Sequence, residues 1–407
     1  MMFRLAIIAI ILIGQWYLLR RVLKFAATVP ALPSWHRSVI ITLFVIFNIP
    51  LMFVYLYLWR LTQMPDPILT LLTPFFVWHM ATLFIFLILF VALLVKLPIR
   101  IVNKTATVHP KVKEYVETMK TSAQYQQFDS SRRAFLQKGV IGLSAYSFVG
   151  ATAGVVGKDE YEIIRTTVTI PNLPEEFKGF TIGMMSDIHS SVFMNKDDMS
   201  EYVSIMNSLK TDLVVVTGDM VNSQTEEVYP FAEAFSNLKA EYGIYGVLGN
   251  HDFFAKNVDL VAKEIDGCGV KLLRNDAIKI LKNNSYLNLV GVDDIGRKTD
   301  PNDYLTRALS SVKNDLPKIL LCHKPYYFEN AKDMNIDLTL SGHTHGGQVV
   351  FGVVDRTPIS LAALASKYVA GLYRLGPSQL YVNKGIGSVG VPFRINCPPE
   401  LTVITLA

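Results

Sequence analysis

Residues 244–252 read Ile-Tyr-Gly-Val-Leu-Gly-Asn-His-Asp. An apolar run of strand character ends on a glycine, and three polar side chains follow at once. The same arrangement recurs along the second half of the chain. Phe180-Thr181-Ile182-Gly183-Met184-Met185 leads into Ser186-Asp187-Ile188-His189. Asp212–Thr217 leads into Gly218-Asp219, and Lys318-Ile319-Leu320-Leu321 into Cys322-His323. Leu338–Ser341 leads into Gly342-His343-Thr344-His345-Gly346-Gly347. Between the first two runs, Tyr202, Ile205, Met206 and Leu209 recur at the three- and four-residue spacing of a helix. Short, wholly apolar runs suit strands buried on both faces. Polar groups just beyond their ends mark the edge where open α/β sheets collect ligands. The expected fold is an α/β sandwich of two packed sheets, with one site along their common edge.

The clustered residues are drawn from Asp, Asn and His. That donor set suits two divalent ions side by side, which activate water and grip a phosphoryl group. Asp187 and His189 are two apart, so an extended segment would point both to one side. Asp219 follows Gly218, and its two carboxylate oxygens can bridge two ions. Asn250 offers a neutral carbonyl oxygen, which limits the negative charge around a bound phosphate. His343 and His345 repeat the two-residue spacing among small residues that let the backbone turn sharply. Oxygen and imidazole donors without thiolate suit Mn, Fe, Zn or similar ions.

The order Asp-x-His, Gly-Asp, Gly-Asn-His-Asp, His, Gly-His-x-His resembles the pattern of the calcineurin-like metallophosphoesterases. Within that family the chain is similar to bacterial membrane-attached or twin-arginine-exported phosphodiesterases. The resemblance covers Tyr161–Ala407 and implies a four-layer α/β/β/α sandwich. It implies one ion held by Asp187, His189, Asp219 and His345, and a second held by Asp219, Asn250, His323 and His343. His251 would face the substrate, stabilising the transition state or protonating the leaving group, with Asp252 orienting its ring. Asn250, His251 and Arg394 are the candidate substrate contacts; a structural salt bridge is the alternative for Arg394. The implied reaction is in-line attack of an activated water on phosphorus.

The first half is of another kind. The 407 residues are 51% hydrophobic, and mean hydropathy is +0.31, too apolar for a wholly soluble protein. Apolar stretches cover residues 5–19, 38–59 and 68–95, with Trp16, Trp35, Trp59 and Trp78 at or near their ends. Residues 1–98 are therefore expected to hold three transmembrane helices, and 99–130 a basic cytoplasmic linker with Lys104, Lys111, Lys113 and Lys120. Ser131-Arg132-Arg133-Ala134-Phe135-Leu136-Gln137-Lys138 precedes the uncharged run 139–157. It resembles a twin-arginine signal in an internal position, which makes 131–157 a fourth membrane segment. Ala151-Thr152-Ala153 offers a cleavage site, but the apolar run continues to Gly157, which favours a retained anchor.

Residues 1–157 carry 15 Lys and Arg against 4 Asp and Glu, a net of 15 − 4 = +11; the remainder carries 24 − 30 = −6. Positive loops stay in the cytoplasm. Four spans then place the domain from residue 158 onward on the extracytoplasmic side of the cytoplasmic membrane, as the paired arginines also require. Expected partners are a phosphate ester, lipid-linked or envelope-borne, the membrane, and the twin-arginine translocation machinery. The mildly acidic second half gives no basic face for nucleic acid.

Other readings stay open beside the phosphodiesterase. One is a pyrophosphatase of lipid-linked sugar nucleotides, which would need a cytoplasmic site. Another is a metal-binding sensor that has lost activity. Three cysteines, Cys268, Cys322 and Cys397, do not make a disulfide framework. Gly385-Ile386-Gly387-Ser388-Val389-Gly390 matches a dinucleotide fingerprint by letter but leaves no room for a following helix and strand, so it reads as a turn lining the site. Asp293-Asp294 either touches the site or caps a turn, and the turn is the favoured reading.

Overall fold

The computed structural model describes residues 2–29, 32–58, 61–62, 64–157, 160–294, 300–312, 316–354 and 357–407. Trp59, which entered the reading of span ends, lies outside the described residues. The chain divides into two compact units, residues 1–57 with 67–155, and 58–66 with 156–407.

The first unit is helical: α1 (Met2–Ala26), α2 (His36–Asn48), α3 (Pro50–Leu56), α4 (Asp66–Ala106), α5 (Pro110–Thr121) and α6 (Ala123–Val156). Four stretches, Leu5–Ala26, His36–Leu56, Pro67–Ala106 and Ala123–Val156, are long and apolar enough to cross a membrane. Pro50 separates α2 from α3 because proline cannot supply the next helical N–H. Polar side chains within the spans bond to one another. Gln15 Nε2 donates to Thr82 Oγ1 at 2.8 Å, and Trp78 Nε1 donates to Gln15 Oε1 at 3.2 Å. In hydrocarbon such groups find partners across helices. The stretch Ser131–Lys138 lies inside the continuous α6.

The second unit is an α/β sandwich. The strands are β1 (Glu162–Val168), β2 (Thr181–Met185), β3 (Leu213–Val216), β4 (Ile244–Gly246), β5 (Val270–Leu272), β6 (Asp276–Lys282) and β7 (Ser285–Gly291). They continue with β8 (Lys318–Leu321), β9 (Leu338–Ser341), β10 (Gly352–Val354), β11 (Thr357–Ile359), β12 (Gly371–Leu375), β13 (Ser378–Val382) and β14 (Glu400–Leu406). One sheet runs β1-β14-β2-β3-β4-β5 and the other β12-β13-β9-β8-β7-β6. Both are mixed: β2, β3, β4 and β5 are parallel, while β14 lies antiparallel to β2 and parallel to β1. The helices of this unit are α7 (Lys196–Ser208), α8 (Val228–Phe235), α9 (Asn250–Phe254), α10 (Val258–Gly267), α11 (Pro301–Leu309) and α12 (Tyr327–Asp333). Asn195 starts α7, accepting from the Asp197 and Asp198 amides, while Asp198 accepts from the Asn195 amide.

The pleat explains the layers. In β3, Leu213 and Val215 join Ile182, Met184, Leu289, Ile319, Leu321 and Leu340 in the core between the sheets. Val214 and Val216 point the other way, onto Met206 of α7, Phe231 of α8 and Ile265 of α10. On the far side, Val290 and Leu320 meet Leu305 of α11 and Ala331 of α12. Strands buried on both faces read as unbroken apolar runs, which is why the expected sandwich was visible. The antiparallel pair β6–β7 and the helices α8 and α10 were not foreseen.

Leu321 is buried between the two sheets. Leu321→Ala is expected to lower the stability of this unit by about 2–5 kcal/mol. A fall in the unfolding midpoint of the detergent-solubilised full chain would show it.

Candidate metal centre

The polar clusters all lie beyond strand ends on one edge. Asp187 and His189 follow β2, Asp219 follows β3, Asn250 and His251 open α9 after β4, His323 follows β8, and His343 and His345 follow β9. Three overlapping groups place donor atoms close together: Asp187–His189–His345, His189–Asp219–His251 and Asp219–His323–His343. His189 Nε2 stands 3.1 Å from His345 Nε2, and His345 Nε2 stands 3.3 Å from Asp187 Oδ1. Asp219 Oδ2 lies 3.0 Å from His323 Nε2 and 3.6 Å from His189 Nε2. His343 Nδ1 lies 3.2 Å from His323 Nε2.

These separations fit metal ligands. Nitrogens about 2.0–2.1 Å from one ion, at tetrahedral or octahedral angles, stand roughly 2.8–3.4 Å from each other. Asn250 Oδ1 is buried without a hydrogen-bond partner among the described residues. A buried carbonyl oxygen is rarely left so unless something else satisfies it. Asp219 belongs to two of the groups, as a bridging carboxylate would.

The electrostatics agree. Burial alone would raise Asp187, yet His345, His323 and His189 hold its carboxyl far below the usual range. Asp219 likewise resists burial and is held low by His323, His189 and His251. Burial, reinforced by neighbouring imidazoles, lowers His189 and His343 to about 3, leaving both neutral and able to donate a lone pair. Burial works against a charge on His323 too, but Asp219 beside it lifts the ring to about 10. Two buried carboxylates thus draw positive charge into the cluster, and in this chain a metal ion would supply it.

The backbone is bent to make this possible. Asp187, His189, Asp219, His343 and His345 all have φ between 50° and 72°. Left-handed backbone is uncommon away from glycine and gathers at functional sites. The extended Asp-x-His segment expected from the spacing is therefore corrected. β2 ends at Met185, and Asp187 and His189 each sit at a left-handed turn instead of on a pleated strand. The Asp187, His189 and Ser190 amides donate to the carbonyls of Gly218, Asp219 and Met220, locking the first two ligand loops together. Asp187 also accepts from Ser186 Oγ at 2.7 Å and from the His343 amide at 2.9 Å. His323 Nδ1 lies 2.8 Å from the Thr217 carbonyl, which fixes the proton there and turns Nε2 toward Asp219.

Two further expectations are corrected. Asp252 does not orient the His251 ring. Its carboxylate accepts from the amides of Met220, Val221 and Gly249, so it ties the Asp219 loop to the start of α9. The ring is oriented by Asn222, whose carbonyl faces His251 Nδ1. Glu227 in turn holds that segment by accepting from the amides of Asn222, Ser223 and Gln224. Arg394 does not reach a substrate: it is buried and donates to the carbonyls of Cys397, Lys384, Gly385 and Gly387. With its donors on those carbonyls, it braces the loop behind Asp187.

That loop explains the glycine motif. The Ile386 and Gly387 amides donate to the Ser186 and Asp187 carbonyls at 3.1 and 2.8 Å. A Cβ on Gly387 would strike the Ile188 carbonyl, and one on Gly385 the Asp187 side chain. The glycines are there for close approach, as a turn lining the site. Asp293 and Asp294 form ion pairs, with Arg274 at 3.1 Å and with Lys324 at 2.8 Å, the second beside His323. Ser186, Asn222 and Glu227 were missed, because a serine, a carbonyl and a lone glutamate have no motif of their own.

Comparison with known proteins agrees with this geometry. Residues 180–347 match the family model described as calcineurin-like phosphoesterase. The chain is 30% identical over 256 residues to a zebrafish transmembrane protein with metallophosphoesterase domain, covering 60% of this chain and 57% of that one. It is 30% identical to an uncharacterized metallophosphoesterase of Helicobacter pylori, covering 68% of this chain and 71% of that one. It is 31% identical to an uncharacterized metallophosphoesterase of Bacillus subtilis, covering 68% of this chain and 97% of that one.

A Cβ on Gly342 would collide with the side chains of Ser186 and Asp187. Gly342→Ala is expected to weaken metal affinity by about 10- to 100-fold, since it displaces the support of a ligand. Metal analysis after dialysis checks this. Chelation of the wild type should also lower its unfolding midpoint, because an ion bound to the folded state alone stabilises it.

Proposed function

The chain belongs to the calcineurin-like metallophosphoesterase family and is a hydrolase of phosphoric esters; from that premise we propose a membrane-anchored phosphodiesterase that works with two divalent ions on a lipid or envelope substrate. The carrying observation is Asp219, whose Oδ2 faces His323 on one side and His189 on the other. One carboxylate between two sets of donors is what a pair of ions requires. Asp187, His189, Asp219 and His345 would hold one ion, and Asp219, Asn250, His323 and His343 the other. Bound there, the ions supply the Lewis acidity that makes water nucleophilic near neutral pH and offsets charge on the phosphoryl oxygens.

The chain's own part is positioning and proton handling. His251 Nδ1 is committed to the Asn222 carbonyl, so Nε2 is the atom presented to the cluster. When protonated, Nε2 can donate to a phosphoryl oxygen or to the departing alkoxide. The His251 amide donates to Asp219 Oδ1 at 2.8 Å, which fixes the ring's distance from the carboxylate it works beside. Catalytic donors held in place before reaction need no reorganisation during it.

Four candidate spans and transmembrane relatives make this a membrane protein. Charge asymmetry supports residues 1–157 as a multi-pass anchor in the cytoplasmic membrane and 158–407 as an extracytoplasmic hydrolase, delivered by the twin-arginine machinery. Fusions that report the compartment of residue 407 test that orientation.

The full chain with Mn²⁺ is expected to hydrolyse bis-p-nitrophenyl phosphate in preference to p-nitrophenyl phosphate. His251→Ala should lower kcat by roughly 10²–10⁴-fold while metal stays bound. Asp219→Ala should lose both metal and turnover. Metal-loaded wild type that cleaves neither ester would count against the reading.

A further inference from the structure

The loop carrying His343 and His345 runs straight into a small ribbon, β10 and β11, followed by a turn at Ala362–Leu364. The ribbon is anchored at its base. Val350, Pro358 and Ser360 are buried. The Val350 amide donates to the Ile395 carbonyl, and Asn396 Nδ2 donates to the Val350 carbonyl, both at 3.0 Å. Phe351 N–H donates to the Ile359 carbonyl at 2.9 Å.

The exposed side chains are apolar on both faces of the ribbon: Val353 stands opposite buried Pro358, while Val354 and Ile359 lie on the other face. Phe351 is 66% exposed, Leu361 69% and Leu364 86%, and Val353, Val354 and Ile359 are exposed with them. From Gly346 to Ser366 the charged residues are Asp355 and Arg356 alone. The exposed faces of a ribbon ordinarily carry polar side chains. A cluster of exposed apolar side chains marks an interaction site instead. This surface is mechanically part of the metal centre: Gly347, two residues after His345, sits directly against the side chains of Ser360 and Ala362.

We propose that this ribbon and turn insert into the lipid bilayer and hold the mouth of the metal centre at the depth of the headgroup phosphates. The bilayer is the occupant that the chain itself provides. Only residues 157–161 separate α6 from β1, a tether of about 18 Å at full extension. A domain so tethered meets the membrane surface at high effective concentration. Apolar side chains of interfacial anchors settle about 5–10 Å into the boundary between headgroups and acyl chains. Six aliphatic and aromatic side chains in 351–364 supply that anchor. The substrate class that follows is a phosphoester in the headgroup layer; this part rests on the phosphoesterase reading, whereas immersion itself does not.

The test uses the full chain in nanodiscs of mixed phosphatidylcholine and phosphatidylglycerol. Cys268→Ser removes the one cysteine that is not buried. Leu364→Cys then takes a nitroxide label, with Lys239→Cys, at an exposed lysine beyond α8, as reference. The Leu364 label should collide more often with oxygen than with a water-soluble nickel chelate, and the Lys239 label the reverse. A Leu364 label as open to the nickel chelate as Lys239 overturns the proposal. So does a label shielded from both reagents, which would mean that a second copy or another protein covers the ribbon. A further arm replaces Leu361 and Leu364 by Asp, both exposed positions. Turnover of phosphatidyl-p-nitrophenol in the same nanodiscs should fall about tenfold or more, with bis-p-nitrophenyl phosphate turnover unchanged. Equal loss on both esters overturns headgroup delivery. Wild type inert to both, with the Leu364 label still immersed, overturns the phosphoesterase reading and leaves the membrane contact standing.

Discussion

Two carboxylates lie where water scarcely reaches them: Asp187 is 0% exposed and Asp219 1%. An ionised carboxylate taken out of water is tolerated only with opposite charge and directed hydrogen bonds around it. Much of the catalytic unit's edge can be understood from that requirement. Histidines from four separate loops converge on the pair. Imidazole nitrogens 3.1 Å and 3.2 Å apart also fit neighbouring ligands of a cation. The same burial that makes the carboxylates demanding keeps His189 and His343 neutral, so the donors stay in their binding form.

Meeting that requirement strains the backbone. Five ligand residues adopt left-handed conformations that cost of order 1–3 kcal/mol each when the residue is not glycine. Such strain persists only where the surroundings over-determine it. Here the ligand loops bond to each other through their main chains, Asp252 ties two of them together, and the Gly385–Gly387 turn presses against Asp187 from behind. Arg394, buried and bonded to four carbonyls, holds that turn in place. A structural arginine and two close-packed glycines therefore serve the chemistry without touching a substrate.

The residues that gather at this edge were legible in the sequence because Asp, Asn and His stand just after successive apolar strands. The doubly buried strands were legible for the same reason: both faces demand apolar residues, so β3 reads as an unbroken run. What the sequence concealed is carried by backbone and by shape. The Asn222 carbonyl that turns the His251 ring is available at any residue type, so nothing in the letters marks it. Asp252 sits beside His251 in sequence, which made a direct contact plausible, yet its oxygens face amides from another loop. Arg394 looked like an anion contact because arginine often is one; only the fold shows its two terminal nitrogens turned to carbonyls. Alternation predicted an extended Asp187–His189 segment, whereas main-chain bonds to Gly218 and Asp219 hold it at two left-handed residues.

The strand Glu400–Leu406 lies between β1 and β2, and β1 pairs with it along its whole length, Glu162 opposite Glu400. That register joins positions 238 residues apart (400 − 162). Loop closure over such a distance must precede any reward from the contacts. β1 therefore has no partner in its sheet until Glu400–Leu406 has been made. A nascent chain can form its helices one after another as they emerge, while the near edge of β2 stays open. In the finished sheet β14 covers that edge, and β1 becomes the edge strand in its place.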